Sequence, residues 1–531
     1  MRNRLLGVGR VSCAAMMVTF GLLGCGDDDG GTGIPGYTST PDSGRPPPSS
    51  GRYDASAPSS SDAGPRSGPP APPPPPAPPP PEPPPPPEGE ADAGPDRCAL
   101  RESREPVVLY LSADDSNSMA SPAIARRDIR NGARPSRHYL RVYEFLNYYN
   151  VHYRAPEAGQ LEVIPELREG DEPGEWLLQV GLQAPMPEES SRGRVITFVL
   201  DTSGSMEGEP MEREREVMRA ILQGLNEGDI VSAVEWNTAR TVSLEGHVVS
   251  GPNDPTATRV ADALRAGGGT DLNAGLRFGY ELARRYYDEQ RLNRVVLISD
   301  GIANAGITDL ELIADNADEG ESEGIYLVGV GVGDGVNDTL MNAVTDAGRG
   351  AYVYIDSVEE PRRIFVDRFS EAMEVSLRDV RLELTLPWHM AIRETSAEEV
   401  SGDPAQVREQ HLAPGDSMVF HQVLTSCDTT ESSPDDVIRA RGTFTRPGSG
   451  ERFGVAVEAT MQELLARPDQ GFSRGNAIVA YARALIEADE ALDRGMPEEA
   501  RAVVDEAIAI VAEANPDNGD ADLVEIAELL A

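Results

Sequence analysis

The sequence predicts an α/β protein built on a doubly wound, mostly parallel sheet, with a small N-terminal domain, a C-terminal antiparallel β-domain and a terminal helical hairpin. Three observations carry this reading. Between Arg194 and about Ser376 short apolar strands alternate with amphipathic helices, the pattern of buried strands covered on both faces. Beyond Leu377 the apolar period drops to two, as in Leu382, Leu384 and Leu386, which marks half-buried strands. From Asn476 to Ala514 the chain returns to helical, Ala-rich periodicity. A length of 531 residues leaves room for about three domains.

The first 25 residues read as an export signal, because Arg2, Arg4 and Arg10 precede an apolar run, Val11 to Leu23, too short and wrongly flanked for a membrane span. Leu22 to Cys25 reads LLGC. That tetrapeptide resembles the lipobox of bacterial lipoproteins, and the resemblance implies cleavage before Cys25 and a lipid on the cysteine. Residues 26–97 form a linker: Gly26 to Asp62 is rich in Gly, Ser, Asp and Pro, whereas Pro69 to Pro87 is nearly all proline. In polyproline II, at about 3.1 Å per residue, the second part is a semi-rigid spacer of roughly 60 Å. The expected location is the cell envelope, lipid-anchored to a membrane, most simply the periplasmic or surface face of the outer membrane.

With Cys13 lost in the signal and Cys25 lipidated, Cys98 and Cys427 remain. An exported protein permits them to pair; a Cys98–Cys427 disulfide is expected, with two separate buried thiols as the alternative.

The formal charge of −42 excludes a nucleic-acid partner, whose phosphates such a surface would repel. Every side-chain cation apart from histidine is arginine, since the chain contains no lysine. A P-loop lysine, a Schiff-base lysine and a lysine general base are thereby excluded.

Residues 98–190 are expected to form the N-terminal domain. Asp114, Ser116 and Ser118 follow an apolar strand in VVLYLSADDSNSM, and are read as a polar strand-to-loop cap. A basic stretch, Arg126 to Arg141, precedes the aromatic run VYEFLNYYNVHY, read as core from its helical spacing. Trp176 to Ala184 supplies a strand leading into the next domain.

In residues 191–376 the expected strands are Val195–Leu200, Ile230–Trp236, Arg294–Ser299, Ile325–Val332 and Ala351–Ile355, with helices near Met211–Leu225, Ala257–Ala266, Asn273–Tyr287, Leu310–Ala317 and Val358–Met373. The first strand ends in DTSGSM, which delivers Asp201, Ser203 and Ser205 onto one loop. Thr270 follows in GGGTDL, and Asp300 ends the strand RVVLISDG. In a doubly wound sheet ligands bind outside the carboxyl ends of the strands, where Asp201 and Asp300 fall.

Asp201-x-Ser203-x-Ser205, then Thr270, then Asp300, resembles the complete metal-ion-dependent adhesion site of the von Willebrand factor type A (VWA) fold. The run Glu144-Phe145-Leu146-Asn147-Tyr148 is similar to a segment preceding that fold in a group of bacterial VWA lipoproteins. The resemblance implies a divalent cation held by these five residues, Mg²⁺ or Mn²⁺, with a coordination position left for an Asp or Glu carboxylate of a protein partner. Hydroxyl and carboxylate oxygens suit a hard cation, and no Cys or His belongs to the set. The expected function is therefore adhesion rather than catalysis; the alternative is an envelope assembly component in which the metal only stabilises the fold.

Residues 377–462 are read as the antiparallel β-domain, with strands near Met418–Leu424, Val437–Phe444 and Phe453–Ala459 and a turn at PGSG, Pro447 to Gly450. Residues 463–531 carry the helices Asn476–Asp493 and Glu498–Ala514 and a short third. They resemble one tetratricopeptide-like unit, too little for a solenoid, and are expected to pack on the β-domain. No Gly-x-Ser-x-Gly elbow occurs, and the six histidines show no metal-ligand spacing. The glycines of Gly329 to Gly335 are expected to serve a strand-to-loop turn at the rim of the site.

Overall fold

Leu109 and Leu384 face each other across an antiparallel strand pair, and that pairing decides the architecture. The computed structural model describes residues 104–113, 118–186, 193–269, 271–301, 324–348, 350–427, 430–446 and 450–531. The export signal, Cys25, the linker, Cys98, Asp114 to Asn117, Thr270, the expected helix at 310–317 and most of the PGSG turn lie outside them.

In chain order the strands are β1 (Val107–Ser112), β2 (Glu162–Glu169), β3 (Glu175–Gln183), β4 (Arg194–Asp201), β5 (Ile230–Trp236), β6 (Arg240–Val248), β7 (Leu292–Ser299), β8 (Tyr326–Val332) and β9 (Tyr352–Ile355). There follow β10 (Leu377–Leu386), β11 (Met390–Thr395), β12 (Glu399–Ser401), β13 (Gln410–Leu412), β14 (Ser417–Ser426), β15 (Val437–Thr445) and β16 (Arg452–Thr460).

The central sheet has the order β6-β5-β4-β7-β8-β9. Its strands run parallel except β6, which pairs antiparallel with β5. Every residue of β4 is buried, as a strand covered on both faces requires. Ile196, Phe198 and Leu200 pack into one core with Val217, Met218 and Ile221 of the Glu209–Gln223 helix. Val199 points to the opposite core with Leu272, Leu276 and Tyr280 of the Leu272–Arg285 helix. That helix seats closely because Gly275 and Gly279 face it toward the sheet: a Cβ on either would collide with Trp236 or Val199. The sequence expectation of a doubly wound, mostly parallel sheet is met. Within the described part of this unit one strand and one longer helix were not expected, the edge strand β6 and the Asp338–Ala347 helix, which Asn337 caps through Leu340 N–H. No residue of β6 is fully buried, and its pairing with β5 shifts register twice, so neither helical nor strict two-residue periodicity is visible.

The expected separation into an N-terminal domain at 98–190 and a β-domain at 377–462 is corrected by the strand pairing. One antiparallel sheet has the order β12-β1-β10-β15-β16, with β13 also on β10; the other has the order β11-β14-β3-β2. Each sheet thus contains strands from both sides of the α/β unit. Leu111, Leu178, Val180 and Leu182 share one buried cluster with Leu382, Leu384, Leu386 and Phe420, so the two sheets form a single β-sandwich. Each fully buried leucine there contributes about 1.5–3 kcal/mol. The α/β unit is an insertion between β3 and β10, and its two ends meet: Arg194 Nη2 lies 3.2 Å from Glu374 Oε1.

The N-terminal segment also supplies two helices to the interface. Met119 N–H donates to Tyr352 O at 2.7 Å, so the chain covers the free edge of β9, and Ala120, Ala123 and Ile124 enter the core beneath it. Ser118 is part of this tie, its Oγ accepting from Tyr352 N–H at 3.2 Å. The Val142–Tyr149 helix buries Tyr143 through Tyr149 without a break, which agrees with the reading of its aromatics as core. Against it lies the Phe472–Asp493 helix, with Phe145 and Tyr481 edge to face at 5.3 Å. The C-terminal helices therefore cover the N-terminal segment as well as β14. Among the described residues no helix is long and apolar enough to cross a membrane.

Candidate metal centre

Asp201 ends β4 with its carboxylate fully buried and fixed from two directions. Oδ1 accepts the Ser203 N–H at 2.9 Å and Oδ2 accepts the Ser299 hydroxyl at 2.6 Å. Ser299 is the last residue of β7, and its Oγ also accepts from Gly301 N–H at 2.9 Å. It therefore joins the two strand ends that carry Asp201 and Asp300. Sequence reasoning missed Ser299; its only signal is the position just before Asp300 at the end of a buried strand. Burial pushes the Asp201 carboxyl up to about 6, against the opposing hydrogen bonds from Ser299 and Ser203, and the neighbouring Asp300 adds to the rise. A cation at this point would relieve the charge that burial penalises.

Ser203 Oγ and Ser205 Oγ lie 3.0 Å apart. Ser203 is buried and Ser205 exposed, so the oxygens climb from the sheet end toward solvent. The loop is held from below by Thr202, whose N–H donates to Trp236 O at 2.9 Å and whose Oγ1 accepts from Asn237 Nδ2 at 3.1 Å. From the side, Gly267 N–H donates to Thr202 O at 2.8 Å, and Gly204 N–H to Gly268 O at 3.0 Å. Gly268 has φ +90°, which only glycine adopts without strain, and a Cβ on Gly204 would stand 3.2 Å from Gly268 O. The segment leading to position 270 is thus fixed through Gly269, and Asp271 caps the following helix by accepting from Ala274 N–H at 3.1 Å. Thr270 itself is outside the described residues. Asp300 is buried, and its carbonyl accepts from Asn337 N–H at 3.0 Å.

The structure brings together Asp201, Ser203, Ser205 and Asp300. Beside them opens a cavity of about 340 Å³ whose lining includes Ser205, Asp300, Arg213 and Gly333 to Gly335. Gly333 and Gly335 therefore form the rim turn expected of the late glycines, whereas Gly329 and Gly331 lie within β8. Gly333 has φ +87°, and a Cβ there would meet Pro210 at 3.0 Å. Behind the site Glu214 is fully buried next to the Asp201 backbone. Burial and then the Asp201 charge raise it well above the usual carboxylate range. The donor set fits a hard divalent cation: it consists of carboxylates and hydroxyls, open on the Ser205 side. Among the described residues no trio of His, Cys, Asp or Glu side chains is placed to hold a metal.

Residues 196–365 match the von Willebrand factor type A domain family. This chain carries a VWA domain. Such domains generally mediate protein–protein interactions and commonly bind a divalent metal at the site described. The chain is similar to the uncharacterized protein YfbK of Escherichia coli K12, 25% identical over 324 residues, which cover 58% of this chain and 55% of that protein. It is also similar to the inter-alpha-trypsin inhibitor heavy chain H1 of Bos taurus, 24% identical over 292 residues, covering 51% and 32% respectively. The chain thus spans about half the length of the first of these relatives and a third of the second. Among solved structures, a von Willebrand factor type A protein from Catenulispora acidiphila aligns with a TM-score of 0.47 and 16% identity, over 70% of this chain and 91% of that one.

The remaining candidates do not join the VWA site. Cys427 follows β14, where its N–H donates to His389 O at 2.7 Å. His389 bridges Ser426 Oγ at 3.2 Å and Asp436 Oδ2 at 3.1 Å; with Ser432 also donating to Ser426 Oγ at 2.8 Å, this chain of polar groups pins β11, β14 and the loop before β15 together. The arginines of the basic stretch pair internally: Arg126 with Asp356, Glu360 and Glu525, Arg137 with Asp489 and Asp493, and Arg141 with Asp338. Asp520 and Asp522 are likewise taken up by Arg474, and Asp522 also by Arg363.

Proposed function

We propose that this chain is a lipid-anchored envelope protein whose VWA domain captures a protein partner through an Asp or Glu carboxylate, by means of a divalent cation, Mg²⁺ or Mn²⁺. The observation that carries the reading is the Asp201 carboxylate, pinned by Ser203 N–H and Ser299 Oγ beneath two serine hydroxyls 3.0 Å apart. Asp201, Ser203, Ser205, Thr270 and Asp300 would hold the ion. When bound, the cation supplies residual positive charge to an incoming carboxylate, because three of its protein oxygens come from neutral hydroxyls. The chain's own part is to fix Asp201 before the ion arrives and to keep Ser205 and Asp300 open to the cavity. The reading is binding rather than turnover, since among the described residues of the site no activated nucleophile stands beside an oriented base.

The anchor in this proposal is Cys25, and residues 26–97 are the spacer between membrane and folded region. A Cys98–Cys427 disulfide would close that region at its start. Arg104 lies 3.1 Å from Glu431 and stacks 5.2 Å over Trp388, so the chain shortly after Cys98 runs close to the segment after Cys427. A mass increase of two hydrogens on reduction would identify the bridge.

The test is capture of partner from envelope extracts by the full chain. Capture is expected with Mg²⁺ and is expected to vanish with EDTA or with Asp201→Ala. Capture unchanged by both would overturn the reading and favour an assembly role for the sandwich and helices.

A further inference from the structure

We propose that β16 is a self-association edge: two copies of this chain pair antiparallel through it, with Val455 facing Val455 on the two-fold axis, so that one sheet of the sandwich continues into the second copy.

The outer strand of a sheet presents a row of unpaired N–H and C=O groups, and folded chains blunt such edges. Among the described residues every other edge is blunted. β12 and β13 have three residues each, and the edge of β9 is covered by Met119 and Ser118. β6 and β11 shift register against their neighbours. β2 contains Pro165, whose carbonyl accepts from Arg467 Nη1 at 3.2 Å. β16 ends its sheet without any of these devices. It pairs with β15 over all nine of its residues without a shift, and it contains no proline.

Its apolar side chains are incompletely covered. Phe453, Val455 and Val457 lie opposite Phe444, Gly442 and Ala440, on the face turned to the sandwich core. Phe453 and Val457 are half-buried against that core, but Val455 is 37% exposed. A strand laid alongside would take that apolar surface out of water.

The order of residues in β16 matches a second copy of itself. Directly opposite residues of an antiparallel pair interact on one face, and centring on Val455 sets Arg452 against Glu458 and Phe453 against Val457, each twice by symmetry. Gly454 and Ala456 face each other between them. Sliding by two residues puts Arg452 against Ala456 or Thr460 and loses both ion pairs. Sliding by one turns the apolar residues to the wrong face. Glu458 already lies opposite Arg439 of β15, so charge alternates along the row Arg439, Glu458 and Arg452 of the second copy. On its own chain Arg452 reaches Glu409 and the Thr443 hydroxyl, yet it stays 47% exposed.

The test is sedimentation equilibrium of the full chain in EDTA, so that the metal site takes no part. Salt of about 0.15 M screens the repulsion between two acidic copies beyond about 8 Å. One strand pair lies at the small end of protein interfaces, so a reversible dimer with a Kd of about 1–100 μM is expected. Arg452→Glu and Glu458→Arg each set like charges opposite each other twice, and each is expected to weaken the dimer about tenfold or more. Both positions are exposed, and melting temperatures check that each variant is folded. Mixed together, the two single variants are expected to associate about as tightly as the wild type, because each supplies the charge that the other lacks. A wild type that stays monomeric throughout that concentration range overturns the proposal. So do single variants that dimerise as the wild type does, or folded single variants that fail to associate when mixed.

Discussion

Arg126 grips Asp356 through two parallel hydrogen bonds, Nε to Oδ2 at 2.7 Å and Nη2 to Oδ1 at 2.8 Å. Both side chains are under 5% exposed. Arg126 belongs to the segment before the VWA insertion and Asp356 follows its last strand. The same guanidinium reaches Glu360 at 2.8 Å, the Tyr148 hydroxyl at 2.6 Å and Glu525 of the final helix at 3.4 Å. One buried cation thus ties three parts of the chain that lie far apart in sequence.

Removing that cation leaves the buried Asp356 carboxylate without its two-pronged partner and takes an ion partner from buried Glu360, which keeps the Tyr148 hydroxyl at 2.7 Å. Arg126→Met is expected to lower stability by about 3–5 kcal/mol, the range for breaking a buried ion pair from one side. Urea unfolding measures it. A loss below about 1 kcal/mol would mean that the carboxylates find water or other partners once the arginine is gone.

The shared sandwich makes a second expectation. Leu384 is fully buried and pairs with Leu109 across β1 and β10, so Leu384→Ala opens a cavity beneath strands from both ends of the molecule. The cost expected is about 2–5 kcal/mol. Amide hydrogen exchange should quicken together in Val107–Ser112 and Val437–Thr445, the two strands that flank β10. Faster exchange confined to residues after 377 would indicate two independently stable domains.

These pairings mark the limit of what the sequence reveals. Asp201, Ser203, Ser205 and Asp300 are legible because each follows an apolar run, and strand ends of a parallel sheet collect on one edge. The alternation at Leu382, Leu384 and Leu386 discloses a strand face but not the partner, because a two-residue period says nothing about which distant strand lies opposite. β1 and β3 therefore read as part of a separate domain. Arg213 is hidden for another reason. In MEREREVM it stands among alternating charges that look uniformly solvated, and only the approach of Pro210, Gly333 and Asp334 encloses it. Ser299 is concealed because a lone serine at a strand end has no pattern at all.

His421 gives the fold a defined acid sensitivity. It is buried in β14, and desolvation, then the nearby Arg483 guanidinium, hold its imidazole down to about 3. In the unfolded chain it titrates near ~6.5. Above that pH the ring is neutral in both states and folding carries no proton penalty. As pH falls below about 6.5 the unfolded state takes up a proton that the folded state refuses, and stability drops until the folded value is reached. His421→Leu is expected to flatten the dependence of urea-unfolding stability on pH between about 6.5 and 3. An unchanged slope in that window would assign the acid sensitivity to other groups.

Metal binding should appear as stability. An ion that binds only the folded state adds RT ln(1 + [L]/Kd), about 2.7 kcal/mol at a hundredfold excess over Kd. Mg²⁺ is therefore expected to raise the melting temperature of the wild type, and EDTA to reverse the rise. Asp201→Asn keeps an oxygen to accept from Ser203 N–H but removes the charge that burial already disfavours. Without metal this variant is expected to be no less stable than the wild type, and it should lose the Mg²⁺ response. Thr270→Ala removes one neutral oxygen and no charge, so a weakened response with an unaltered metal-free melting temperature is expected. If Thr270→Ala instead lowered the metal-free melting temperature by several degrees, position 270 would be supporting the loops around Gly204 and Gly268 rather than the ion.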